Sequence, residues 1–296
     1  MPGDASPPGT PACEVCGAAT VPWRLPAGRL GGGLLSRCPV CGHVLRDLAS
    51  CPAGARDEAY GGDPGLDRIR LALTFRRLRA LVPAAGAVFE IGYGTGALLR
   101  RFRAAGHPVA GIDRDQLGLP VDTAAGALRR GELETLPPGD DRYDLVYGVH
   151  VLEHLRDPAA GLRRAYELLR PGGRICLITP TTDSLGARWF GAAWWLLEDP
   201  THVRFFTPAS ARRALTDAGF GGVGVRRLRL DNLSMEAASL RRRRGRIPPA
   251  GVLSERGTLA LAAATVPAVL AARVALPRLA PSIELTARRP AGGPAQ

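Results

Sequence analysis

The 296-residue chain contains no lysine, so all 39 basic side chains are arginine, set against 27 acidic ones for a formal charge of +12. An all-arginine basic set reads as a bias of the coding sequence, and it weakens the usual inference from a basic chain to a nucleic-acid partner. The start, "MPGDASPPGTPAC", has neither a charged n-region nor an apolar h-region, so no secretory leader is expected and the cytoplasm is the expected compartment. No internal repeat occurs. Cysteine is nearly absent after residue 51: five of the six stand before residue 52, where thiols of a reducing compartment suit metal better than disulfides. Residues 1–55 also lack any sustained helical period and are rich in Gly and Pro, which suits a small module held by something other than an apolar core.

What is present after residue 55 is an alternation of strand and helix patterns. "GLDRIRLALTFRRLRALVP" sets Leu71, Phe75, Leu78 and Val82 at helical steps among arginines. Strands are expected over "AVFEI", "PVAGID", "YDLVYGV", "RICLITP" and "GVGVRRLRL", with helices over "GALLRRFRAAG", "PAAGLRRAYELLRPGG" and "PASARRALTDAGF" between them. The stretch between "PVAGID" and "YDLVYGV" is poorly marked. Such alternation predicts an α/β fold with a parallel sheet covered on both faces. The final strand, "SIELTARR", follows an insertion over residues 231–281, so the chain divides into 1–55, 56–230, 231–281 and 282–296.

Three alternate glycines, Gly92, Gly94 and Gly96, separate the first core strand from its helix in "EIGYGTG". Glycine there lets a ligand approach the backbone, and the helix start offers free N–H groups with a partial positive charge. The spacing differs from the GxGxxG dinucleotide fingerprint, and Glu90 lies inside the strand ahead of it. Asp113 closes the next strand about twenty residues on, where a carboxylate can accept both hydroxyls of a ribose. Together they point to an adenosine-bearing ligand.

These residues resemble the class I S-adenosylmethionine-dependent methyltransferases, the group of small-molecule enzymes with "(D/E)xGxGxG". The resemblance runs in order over residues 85–220 through "GELETLPPGDDRYDLVYGVHVLEHLRDPAAGLRRAYELLRPGGRICLITP". It implies a doubly wound, Rossmann-like sheet of seven strands. It also implies that Glu90, Gly92 and Gly94 hold the amino-acid end of S-adenosylmethionine, that Asp113 takes the ribose, and that Glu132 and the Leu133 N–H meet the adenine. Gly96 completes the loop. Tyr93 departs from the small residue or cysteine usual there; it either shapes the methionine end of the cofactor or is a tolerated variant.

"CEVC" and "CPVC" place Cys13, Cys16, Cys38 and Cys41 as two knuckles with 21 residues between them, the four-thiolate set of a zinc-ribbon-like module. Four protein ligands leave no open position, so a structural Zn2+ is expected. His43 and Cys51 are alternative ligands or bystanders.

Acceptor chemistry is expected beyond the fourth strand, where "HVLEH" carries His150 and His154. His154 matches the Leu-Glu-His of the resemblance and is the first candidate to contact the acceptor. His202, in "EDPTHVRFFTP", is the second, as a general base. "ARWFGAAWWLLEDP" packs Trp189, Phe190, Trp194 and Trp195 together as a lid, a lipid-facing surface or a core helix. In the insertion, Arg241–Arg244 precede an apolar stretch of 15 residues, Thr258–Ala272, interrupted by Pro267. That stretch is too short to span a bilayer, so peripheral membrane contact is the most it supports.

Three functions follow. The first is methylation of a small or carrier-linked acceptor: a sugar, a glycan intermediate or a secondary metabolite. Sugar-modifying methyltransferases with a cysteine-rich N-terminal module look similar, but their long additional C-terminal domain has no counterpart here. The second is methylation of ribosomal or other RNA, since some such enzymes join a zinc ribbon to this fold. The Asn/Asp-Pro-Pro-Tyr/Phe motif of exocyclic amine methylation is absent, and "ITPTTD" follows the fifth strand instead. The third is a binding module without catalysis, against which the intact Glu90, glycines and Asp113 argue.

Overall fold

In a computed structural model, residues 11–24, 34–46, 48, 64–114, 127–139, 142–197, 201–246 and 255–292 are described below. Cys51, the first ten residues and residues 115–126 of the poorly marked stretch after Asp113 lie outside them. At the N-terminus, β1 (Val21–Arg24), β2 (Leu34–Arg37) and β3 (Val44–Arg46) form an antiparallel ribbon beside the two knuckles. Its fourth strand comes from far along the chain: β9 (Arg204–Phe205) pairs with β3, Val44 opposite Phe205. The cysteine module is therefore sheet-bonded to the rest of the protein.

The central sheet has seven strands in the order β10-β11-β8-β7-β4-β5-β6. Here β4 is Val88–Ile91, β5 is Val109–Asp113, β6 is Ala127–Arg130, β7 is Tyr143–Val149 and β8 is Leu169–Pro180. β10 (Gly221–Arg227) and β11 (Ser282–Arg288) complete it. The five strands from β8 to β6 are parallel, as the sequence predicts. β11 runs antiparallel to both β8 and β10, a departure from an all-parallel sheet. Among the described residues, the chain between β10 and β11 builds two helices, Met235–Arg243 and Arg256–Ala275, that do not cross over the sheet between them. β6, "ALRR", went unmarked in the sequence because it is short, polar and, among the described residues, paired only to β5.

The strands alternate their side chains between two cores. One gathers Phe89, Val146 and Ile175 with Leu162 and Ala165 of α3 (Pro158–Leu168) and Leu215 of α5 (Pro208–Asp217). The other gathers Val88, Leu145 and Tyr147 with Leu78 of α1 (Pro64–Arg79) and Phe102 of α2 (Ala97–Ala104). α1 carries the predicted stripe on Leu71, Phe75 and Leu78 and ends before Val82, which still packs into that core. Helix starts are set by local chemistry: Asp157 caps α3 through the Ala160 N–H, and Thr207 with Ser210 forms a capping box at α5, each followed by proline at the first helical position.

A third core joins the module to the segment after β8. Leu35 and Val44 of the module pack with Phe190, Trp194, Leu197 and Phe205, beside Met235 of α6 (Met235–Arg243). Of the three readings of the tryptophan cluster, Trp194 supports the core, being wholly buried, whereas Trp189 is 70% exposed and stacks on Phe190 at the end of α4 (Leu185–Phe190).

The insertion also corrects the sequence reading. α7 (Arg256–Ala275) is a 20-residue helix that runs straight through Pro267. Proline removes one backbone donor, and the carbonyl it orphans, four residues back at Ala263, lies on the exposed side where water can serve it. The helix is thus long and apolar enough to cross a membrane. Its charged residue near the end is not free to face lipid. Arg273 is wholly buried, bonded to the Glu236 carboxylate at 2.7 and 2.8 Å and to the carbonyls of Arg229, Asp231 and Asn232. At the other end Arg241 of α6 pairs with Glu255. Both ends of α7 are therefore fastened to one body.

Candidate active site at the carboxyl edge of the sheet

Beyond Ile91 the backbone turns through Gly92, Tyr93 and Gly94 to Gly96, the N-cap of α2. The three glycines have φ of 70°, 51° and 69°, left-handed values that side chains with a Cβ resist. A Cβ on Gly92 would come 3.0 Å from Val151 Cγ2, whereas one on Gly94 would meet nothing within 4 Å. The backbone at Gly94 thus faces open space. The Gly94 N–H donates to Asp113 Oδ2 at 2.8 Å, and the Gly92 N–H to the Ile112 carbonyl at 2.8 Å, so the end of β5 holds the loop in place.

Other predicted residues sit around this loop. Glu90 is buried directly beneath it, and burial, with the Asp113 charge adding to it, pushes its carboxyl well above the usual range against the hydrogen bond it accepts from Tyr147 at 3.0 Å. Tyr93 folds under the loop, 3.0 Å from where a Cβ on Gly111 would stand, and its hydroxyl donates to the Arg129 carbonyl at 3.3 Å. Glu132 lies past β6 with Arg114 at 2.9 Å and Arg156 at 3.2 Å, and Leu133 beside it is buried.

The next strand end carries the histidines. His154 Nδ1 lies 2.8 Å from the Thr201 carbonyl and His202 Nδ1 2.8 Å from the Leu196 carbonyl. A carbonyl only accepts, so both Nδ1 atoms carry hydrogen and, in the neutral rings, Nε2 is the basic nitrogen. The rings lie 4.9 Å apart, His154 partly exposed and His202 buried behind it. Between them and His150 stands Glu153, wholly buried, bonded by the Thr179 hydroxyl at 2.9 Å, with Oε1 3.3 Å from His150 Nδ1 and 3.8 Å from His202 Nε2. The ligand atoms of Glu153, His154 and His202 fall within 4.8 Å of one another. Burial alone would favour a neutral Glu153; the hydrogen bond from His150 and the charges of all three histidines outweigh it and hold the carboxyl at about 2.

Sequence reasoning passed over His150 and missed Asp231. His150 has φ of 54°, rare for a residue with a Cβ, and its Nε2 lies 3.0 Å from Asp231 Oδ2. Burial would neutralise its ring, but Asp231 and Glu153 raise it to about 10, and Asp231 is held well below the usual carboxylate range. Nothing in the sequence marks Asp231, because a loop after β10 brings it here.

This arrangement is that of a nucleotide-type loop beside a buried carboxylate flanked by imidazoles. Residues 67–223, more than half of the chain, match the family described as methyltransferase domain. The chain belongs to that family. A ubiquinone biosynthesis O-methyltransferase of Azorhizobium caulinodans is 31% identical over 161 residues, 48% of this chain and 62% of that protein. A malonyl-[acyl-carrier protein] O-methyltransferase of Pseudescherichia vulneris is 26% identical over 188 residues, 62% of this chain and 72% of that protein. Among solved structures, the [4+2]-cyclase SpnF superposes with a TM-score of 0.52 at 18% identity, covering 81% of this chain and 87% of that one. A putative methyltransferase of Haloferax volcanii, solved with the Trm112 activator, gives 0.51 at 18%, covering 76% and 92%. These superpositions show the fold. The chain spans less than two thirds of the length of several of the curated relatives it matches, 62% for the Azorhizobium protein and 47% for a ubiquinone biosynthesis O-methyltransferase of Cereibacter sphaeroides.

In the N-terminal module the four thiols converge. Cys13 and Cys41 sulfurs lie 3.6 Å apart and Cys16 and Cys38 3.4 Å apart, all four within 4.8 Å of one another. Zinc–sulfur bonds of about 2.3 Å set tetrahedral sulfurs about 3.8 Å apart, so the cage is close to the size a zinc ion needs. The knuckle turns close through the Gly17 N–H on the Cys13 carbonyl and the Gly42 N–H on the Cys38 carbonyl. His43, the alternative ligand, instead points its Nε2 to Glu14 at 2.8 Å.

The His150 cluster predicts a pH signature. Raised to about 10, His150 contributes stability that is complete below the unfolded value near 6.5 and is lost as pH rises through 10. Glu153 contributes above about 4.5, and that contribution is lost as pH falls toward 2. Chemical denaturation from pH 5 to 10 should show His150→Asn, which tolerates the same φ, lacking up to about 1.4 kcal/mol per pH unit of alkaline decline present in wild type. Parallel curves for the two proteins would remove the ion pair from this account.

Proposed function

We propose that the methyltransferase alkylates a hydroxyl or carboxylate oxygen of a small or carrier-linked acceptor, with His154 receiving any proton released. The observation that carries this reading is the pair of imidazoles with Nδ1 committed to backbone carbonyls, set around the ionised Glu153 at the strand end next to the glycine loop. Bound S-adenosylmethionine supplies an electrophilic methyl group. The Gly92–Gly96 backbone and the start of α2 would receive its amino-acid end, above Glu90 and Tyr93, and Asp113 its ribose. Glu132, its charge already balanced by two arginines, and Leu133 would border the adenine. An acceptor oxygen entering over β7 would meet His154 first, and the carboxylate behind it would stabilise the imidazolium formed. His202, enclosed, supports that charge from behind. The two kinds of O-methyltransferase matched above act, by their names, in ubiquinone biosynthesis and on malonyl-carrier protein, which favours an oxygen acceptor.

Labelled S-adenosylmethionine offered with catechols, quinols, malonyl-carrier protein and structured RNA is the test. Transfer to an oxygen acceptor is expected, with His154→Gln lowering kcat by about 10²- to 10⁴-fold where the acceptor is a hydroxyl. Transfer to RNA alone would replace this reading by the RNA one.

The cysteine cage is assigned to structural zinc, which four protein ligands would close against substrate. Elemental analysis should find one zinc per chain, lost in Cys38→Ser; a metal-free wild type would refute the assignment.

α7 is assigned to the surface of an anionic membrane. Only 17% of its apolar window is buried, and the exposed residues Ala260, Ala264, Ala268 and Val274 share its outer side, near the exposed Arg243, Arg244 and Arg256. A crossing orientation conflicts with the anchoring of both ends, so contact along the helix is the form proposed. Arg241 and Arg242 are already engaged by Glu255 and the Trp194 carbonyl, so the informative variant is Arg243→Ala with Arg244→Ala. Sedimentation with anionic vesicles should fall severalfold in that variant and be absent with neutral vesicles; no association in wild type would overturn it.

A further inference from the structure

The residue after His202 is bonded on both sides. Val203 donates its N–H to the Glu153 carbonyl at 3.1 Å, and its own carbonyl accepts the N–H of Arg46, the last residue of β3, at 2.9 Å. One residue thus links the buried carboxylate's backbone to the cysteine module. The same module holds the next residues: Val44 and Leu45 pair with Phe205 and Arg204, the Thr207 hydroxyl donates to the carbonyl of Cys41 at 2.6 Å, and the His43 ring packs on Phe206 at 4.6 Å. Even the carbonyls behind His202 are reached, since Arg46 Nη2 donates to Leu197 O, adjacent to the Leu196 carbonyl that fixes the His202 tautomer.

Charge completes the connection. Glu14, between the first two cysteines, accepts from Arg204 at 2.6 and 3.2 Å and from His43 at 2.8 Å, and Arg204 also donates to the Arg156 carbonyl, past Glu153 and His154. Arg204 is 5% exposed, so a buried guanidinium depends on this one carboxylate of the knuckle. The knuckle's own hydrophobic group is little more than its cysteines with Val15 and Ala18. Too few apolar atoms are present to hold it shut alone, so its shape, and the positions of Glu14 and Cys41, depend on what binds the four sulfurs.

We infer that the Cys13–Cys16–Cys38–Cys41 centre is a clamp on the acceptor side of the active site: its occupancy holds residues 201–207, and through them fixes the placement and tautomer of His202 beside Glu153, with Glu14 as the positioning residue that transmits it. The cofactor loop lies outside the clamp, because Gly92, Gly94 and Asp113 are held by β5 and not by the module. The inference rests on the zinc and acceptor-site readings above but needs no identified acceptor.

Hydrogen exchange and nitrogen NMR of the histidine rings are the measurements, made on the full chain before and after zinc removal by chelation, with metal content measured alongside. On removal, residues 201–207 should exchange at least about tenfold faster and His202 should lose its single Nδ1–H tautomer, while residues 88–99 keep their protection and S-adenosylhomocysteine its affinity. Glu14→Gln, which retains all four cysteines, should keep its zinc and reproduce both changes in part, a result that a purely local folding role for the metal would not give. The inference is overturned if residues 201–207 and His202 are unchanged after zinc loss, if protection is lost throughout the chain alike, if Glu14→Gln matches wild type, or if the purified chain holds no metal at the cage.

Discussion

The turn that follows β4 carries three left-handed residues in five positions, and a non-glycine residue there costs about 1–2 kcal/mol each. What the protein gains is backbone that, at Gly94, no described side chain covers, at the place where the parallel strands end and α2 begins. The Asp113 carboxylate holds that backbone in position by accepting the Gly94 N–H, and the same end of β5 fixes Gly92. Moving the glycines would also move Val151, which packs on Gly92, and with it the turn that carries His150, Glu153 and His154. Cofactor loop and acceptor side are thus in direct contact, and Arg114 next to Asp113 also donates to the His154 carbonyl at 3.1 Å.

Much of this could be read from the amino-acid order, for reasons that differ by element. Strands β4, β5 and β7 are mostly apolar because both faces are covered, and "YDLVYGV" sets the limits of β7 residue for residue. The glycine loop, Asp113 and the four cysteines were legible because each needs a residue type that few other contexts demand. β6 and the direction of β11 were not, since a short polar edge strand has no periodicity and strand polarity is decided by how the insertion between β10 and β11 packs. Asp231 could not be found for the same reason: its role arises from a loop folding back onto His150. Pro267 misled because proline stops a helix only where the orphaned carbonyl has nowhere to go.

The arginine content has a similar lesson. Composition alone suggests a surface that attracts phosphate, yet Arg273, Arg204 and Arg46 are buried and each donates to backbone carbonyls, with Glu236 and Glu14 paired to two of them. These long side chains act as braces where elements distant in sequence meet: α7 on the loop after β10, and the cysteine module on residues 197 and 204. Removing one leaves a buried carboxylate or carbonyls unpartnered, which is why such positions report on architecture more than on substrate.

The central proposal for this molecule is that the loop between β4 and α2 receives S-adenosylmethionine with Asp113 as its fixed carboxylate. Titration calorimetry of S-adenosylhomocysteine into wild type and Asp113→Ala measures this directly. The expected result is one site per chain, weakened by about 1.5–3 kcal/mol in the variant as charge-assisted hydrogen bonds are lost, with the zinc content unchanged. Equal affinity in the two proteins, or no binding to wild type, would contradict it.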